Sequence, residues 1–139
     1  FEIEDNFYGY FIEEEYGKYL KNRLQEKTKE VVEINTYMGY MRGIDYDSKI
    51  TVENIVLGEL QVNPSVYIHL TGRGMSEERC NECVNEIKEE LEAMDVQGTY
   101  SIGIWDMTEA ELLNSTKYKN RIFDGLVKKE NDKWKIIVY

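Results

Sequence analysis

Two cysteines one helical turn apart, Cys80 and Cys83, are the residues whose types and spacing most directly suggest chemistry. In thiol–disulfide enzymes a Cys-x-x-Cys pair sets its first cysteine at a helix N-terminus, where unpaired amides lower the thiol pKa. Here Cys80 falls a full turn inside a helix expected to begin at Ser76. Glu77, Glu78, Glu82 and Glu86 surround the pair with charge that raises a thiol pKa. Both cysteines also share the apolar face of that helix, where Cys behaves as a small hydrophobe. The expectation is a reduced pair packed in the core, with a structural disulfide and redox catalysis as alternatives. A zinc site would need two more ligands from a chain with one histidine.

That histidine, His69, lies mid-strand between Ile68 and Leu70, and alternation puts it on the opposite face with Tyr67 and Thr71. Any His-dependent triad must use it, yet no Gly-x-Ser-x-Gly elbow supplies a nucleophile. A packing or solvent-facing histidine is the simpler expectation. Thr71-Gly-Arg-Gly74 precedes a helix, as phosphate loops do. It lacks the third glycine of a dinucleotide fingerprint and the Gly-Lys-Ser/Thr of a P-loop. Asp45-x-Asp47 lacks the other ligands of a calcium loop. Asp106 and Glu109 could form a hydrolytic carboxylate pair only if the fold set them across a cleft. No residue is therefore assigned a catalytic, cofactor-binding or metal-binding role, and an enzyme is the less favoured class.

Recognition is the other kind of chemistry. Glu78, Glu82, Glu86 and Glu89 recur as one stripe on the helix, a spacing at which like charges repel by a few tenths of a kcal/mol per pair. Such a stripe is either a solvated surface or an interface. Among eleven tyrosines, Tyr37, Tyr40 and Tyr46 crowd a Gly- and Asp-rich stretch. Tyr gives large contact area at low entropic cost, although tyrosines packed around an N-terminal helix would serve equally. These seven residues are the candidate protein-interaction set.

The net charge of −10 argues against general affinity for nucleic acid. Charge is unevenly placed: Glu77 to Asp95 is acidic, Lys117 to Tyr139 basic, and the two stretches are expected to attract each other. No run approaches the ~20 apolar residues of a membrane span. The sequence opens on Phe1 rather than Met, which leads to the expectation of a soluble part trimmed from an exported or lipid-anchored protein. Two cysteines are too few for a disulfide framework.

The positioning elements follow from periodicity. All 139 residues are expected to form one domain, with residues 1–10 as a lead-in. Ile12, Tyr16, Leu20 and Leu24 mark a helix from Phe11, which Gly17 weakens by about 1 kcal/mol relative to Ala. Val31, Val32 and Ile34 extend it or begin a strand, and Asn35 to Ser48 reads as irregular chain. A strand is expected over Lys49–Val62, bulged at Gly58 and paired as a hairpin, through Asn63-Pro64, with a strand over Val66–Thr71. The central helix carries Cys80, Cys83, Val84, Ile87, Leu91 and Met94 on one face, with Ser76 as N-cap and Gly98 as stop. A strand over Thr99–Trp105 follows, then a capping box from Thr108 to Glu111. A hairpin of Ile122–Lys128 with Lys133–Val138 closes the chain. The order α-β-β-α-β-α-β-β gives an α+β domain, a mainly antiparallel sheet with two longer helices on it. Val66–Thr71 and Thr99–Trp105 are expected side by side in parallel. The function expected is a small non-catalytic binding or accessory domain; the alternative is a cytoplasmic acidic inhibitor or immunity-type protein that occupies a basic surface.

Overall fold

The computed structural model describes residues 2–38, 51–60 and 62–139, with side chains from residue 12 onward. Helix α1 (Glu2–Gln25) starts ahead of Phe11. Strand β1 (Val31–Tyr37) follows, then a short helix α2 (Val52–Val56), strand β2 (Ser65–Thr71), helix α3 (Glu77–Met94) and strand β3 (Thr99–Trp105). A short helix α4 (Glu109–Asn114) leads to the hairpin β4 (Arg121–Glu130) and β5 (Lys133–Val138). The five strands form one sheet in the order β1-β2-β3-β4-β5. Only β2 and β3 are parallel neighbours; the other pairs are antiparallel. The α+β class stands as expected.

Three expectations fail. No strand forms over Lys49–Val62 among its described residues, because Thr51 caps a helix there. Its hydroxyl accepts from the Asn54 amide while the Asn54 side chain returns to the Thr51 amide, which commits Val52–Val56 to a helical turn. The expected hairpin partner of β2 is thus missing, and β1 takes that place, with Ile34 opposite Ile68 and Asn35 opposite Tyr67. Asn35 to Tyr37, read as irregular, belong to that strand. The stop of α3 is Asp95, in the left-handed region at φ 51, rather than Gly98.

Alternation divides the sheet. Val66, Ile68 and Leu70 of β2 and Tyr100, Ile102 and Ile104 of β3 are buried on one face. They pack with Ile12, Tyr16, Leu20 and Leu24 of α1 and the apolar row of α3 from Cys80 to Met94 in a single core. The opposite face carries a small cluster of Val32, Met107 and Leu112, with Trp105 and Tyr118 packed against it beside α4, and neither long described helix lies on it.

Helix α1 also closes the outer edge of the sheet. A bare edge strand offers a row of unpaired donors and acceptors, and three contacts from α1 tie that helix along β1 and the residue after it. The Met38 amide donates to Glu13 Oε1 at 2.7 Å, the Thr36 hydroxyl to the Glu13 carbonyl, and Gln25 Nε2 to the Val31 carbonyl at 2.7 Å. Gly17 permits this approach: a Cβ on it would sit 3.3 Å from Thr36 Oγ1 and 3.7 Å from the Ile34 carbonyl oxygen. A residue that weakens the helix is thus what lets it meet the strand. Replacing Gly17 with Ala is expected to be near neutral, the ~1 kcal/mol helix gain being offset by that tight contact. Gly17→Leu should lower the unfolding free energy by about 1–3 kcal/mol through overpacking. Urea unfolding of the two variants measures both, and a Leu variant as stable as the parent would contradict the close approach.

Candidate functional site

On the open face, cross-strand pairing sets Glu33 opposite His69 and His69 beside Gly103. The connection between α4 and β4 lays Tyr118 over them. Its hydroxyl donates to Glu33 Oε2 at 2.5 Å, and its ring meets the His69 ring edge-on at 4.6 Å between centroids. Trp105 packs against Tyr118 at 5.2 Å, and the Arg121 guanidinium lies 5.4 Å from the Trp105 ring centre. Asn35 Nδ2 is 3.5 Å from His69 Nε2; with the amide donating, the imidazole carries its proton on Nδ1. His69 Nδ1 and Trp105 Nε1 are both buried and unpartnered among the described residues.

The electrostatics favour the uncharged forms of His69 and Tyr118. Burial pulls His69 below its ordinary value, with Glu33 opposing, and burial together with Glu33 pushes Tyr118 up to about 12. Among the described residues no hydroxyl or thiol is hydrogen-bonded to His69. The cysteines lie across the sheet in the core, where both are free and buried, and burial pushes the Cys83 thiol up to about 12. Sequence alternation located the face of His69. It missed Glu33 and Tyr118, because Glu33 arrives through the unforeseen β1–β2 pairing and Tyr118 through chain that reads as polar loop.

Beyond this cluster the open face presents Tyr37, 58 % exposed, and Tyr67, 44 % exposed, packed edge-to-face at 5.9 Å. Tyr40 and Tyr46 lie outside the described residues. The four glutamates of α3 are not used alike. Glu78, Glu82 and Glu89 are exposed, Glu82 pairing with Arg79 at 3.2 Å, whereas Glu86 accepts from Thr28 at 3.0 Å and from Arg79.

Arg73 joins Asp106 and Glu111 at 3.4 and 3.5 Å, so it does not gather with His69. Gly72 serves packing, since a Cβ there would meet Ile104 Cγ2 at 2.6 Å. Arg79, which lines one cavity with that turn, is engaged twice by Glu30 at 2.7 and 2.8 Å. Among the described residues no group of three His, Cys, Asp or Glu side chains is placed to hold a metal ion. No described helix is long and apolar enough to cross a membrane. Comparison with family models, curated proteins and solved structures finds no match to this chain.

The thiols should be inert. Ellman's reagent is expected to react with native protein far more slowly than with unfolded chain, and replacing both cysteines by Ala should cost on the order of 1–2 kcal/mol each through lost packing. Rapid native reaction would contradict a core position.

His69 predicts a pH dependence. Its folded pKa lies below the unfolded 6.5, so the unfolded chain takes up the proton first and stability falls as pH drops below that value. The facing groups are Glu33 and Asn35 from β1, Trp105 from β3 and Tyr118. Glu30, Glu90 and Asp95, held low by Arg79, by Arg23 and Lys27, and by Trp134 and Lys129 respectively, lose their contributions only in the carboxylate range below. Between about pH 7.5 and about pH 5.5 the parent should lose stability while His69→Gln does not. Parallel urea midpoints for the two proteins would disprove the burial effect.

Proposed function

We propose that this chain is a non-catalytic recognition domain whose protein partner docks on the open sheet face around Tyr37 and Tyr67. The supporting observation is the exposed aromatic pair on a face that no long helix covers among the described residues. Aromatic side chains with a hydroxyl tip are enriched in the buried centres of protein interfaces. The neighbouring His69–Tyr118–Trp105 cluster continues that surface with packed aromatic rings. The acidic reading of α3 has less to work with, because Glu86 is taken up inside the protein by Thr28 and Arg79.

A photoreactive phenylalanine analogue at position 67, with a second protein labelled at position 89 on α3, separates the two in the producing cells. A single defined adduct at 67 that Tyr37→Ala abolishes supports the sheet face. An adduct at 89 alone would transfer the interface to the acidic helix, and adducts at neither position would remove the case for a docking surface on these two faces.

A further inference from the structure

We propose that β5 is a self-pairing edge through which two copies of this chain join their sheets into one. The two edges of the sheet are built differently. β1 is bulged between Val31 and Glu33, and side chains of α1 reach its two ends, Gln25 at the Val31 carbonyl and Glu13 at the Met38 amide just past the strand. β5 pairs with β4 without a register shift and contains no proline. Among the described residues no hydrogen bond reaches the outer side of its backbone.

The phase of that edge follows from one bond. The Tyr139 amide donates to the Asp124 carbonyl across the β4–β5 pair at 3.0 Å. Backbone groups alternate in direction along a strand, so Lys133, Lys135, Ile137 and Tyr139 turn theirs toward β4, and Trp134, Ile136 and Val138 turn theirs outward. The hairpin turn agrees: Asn131 and Asp132 both have positive φ, 50 and 63, the two-residue turn that makes Glu130 and Lys133 an inward hydrogen-bonded pair.

An antiparallel second copy on a two-fold axis through Ile136 pairs Ile136 with Ile136 and Trp134 with Val138, all by outward groups. In the same register Lys135 stands opposite Ile137 of the second copy and Lys133 opposite its Tyr139, so no lysine faces a lysine. Sliding the second copy two residues toward the turn sets Lys135 against Lys135. Sliding it the other way sets Ile137 against Ile137 and leaves Trp134 without a partner within β5. The sequence of β5 thus selects one register of self-pairing. Val138, 65 % exposed, and Tyr139, 73 % exposed, gain cover in it. Glu130 bridges Lys128 at 2.9 Å and Lys135 at 3.5 Å, which moderates the local positive charge. A single strand pair is a small interface, so association is weak and concentration-dependent. Tyr37 and Tyr67 remain uncovered, and the pairing stands independently of the recognition surface.

Sedimentation velocity over a wide concentration range, with amide exchange followed by NMR at both ends of it, tests the pairing. The expected result is a monomer–dimer equilibrium in which Trp134, Ile136 and Val138 exchange roughly tenfold or more slowly at high concentration, while Lys133, Lys135 and Ile137 change little. Ile137→Lys, which opposes Lys135 of the second copy twice by symmetry, should abolish the dimer, and adding Lys135→Glu should restore it. A chain monomeric at every concentration would overturn the proposal. So would a dimer without that alternating protection, or protection of the three outward amides already in dilute monomer.

Discussion

Two phenol hydroxyls in the middle of the core fix where the N-terminal helix sits. Tyr16 and Tyr100 are fully buried, and their oxygens lie 2.8 Å apart. Tyr100 donates to the Val96 carbonyl, also at 2.8 Å, so Tyr16 supplies the proton of the first bond. The chain is complete only when α1, β3 and the α3–β3 connection are all in place. A buried hydroxyl without its partner costs about 1–3 kcal/mol, and every shifted docking of α1 strands at least one. Apolar residues on α1 supply most of the attraction; the phenols select the register. Burial pushes Tyr100 up to about 12 and Tyr16 further still, which keeps both protonated.

Charge completes the seam between the two long helices. Glu90 of α3 accepts from Arg23 and Lys27 at 2.9 Å each. Arg79 holds Glu30, Glu82 and Glu86 from the other end. The acids of α3 therefore find their bases on α1, on the α1–β1 connection and on α3 itself. Only Asp95 reaches the basic C-terminal hairpin, through Lys129 at 3.0 Å and Trp134 Nε1 at 2.9 Å. Attraction between an acidic middle and a basic tail, natural to expect from sequence, operates through this one contact among the described residues.

What was legible in the sequence is what depends on short spacing. The face of α3, the caps at Ser76 and Thr108, and the final hairpin are all written within a few residues of one another, as is the alternation that placed His69. What was not legible depends on pairing at a distance. β1 looked equally like helix, because Val31, Val32 and Ile34 satisfy either state until β2 is present to choose. Val52 and Ile55 passed for strand because alternation ignores what one threonine can do to a helix start. The candidate site suffered most: Glu33, His69 and Tyr118 come from three separated stretches, and no local pattern joins them.

β1 and β2 are adjacent in the sheet, yet all the chain from residue 38 to residue 64 lies between them. Closing so long a connection costs on the order of 2 kcal/mol more than closing a two-residue turn such as that between β4 and β5, since the entropy grows with the logarithm of length. The parallel pair β2–β3 has α3 to span its crossover, whereas the β1–β2 connection has only the short α2, anchored in the core through Ile55. The hold of β1 therefore depends on α1, its immediate predecessor, so that helix and strand attach to the remaining four strands as one piece. Chain connectivity secures the rest of the sheet; shape and hydrogen bonding secure this edge.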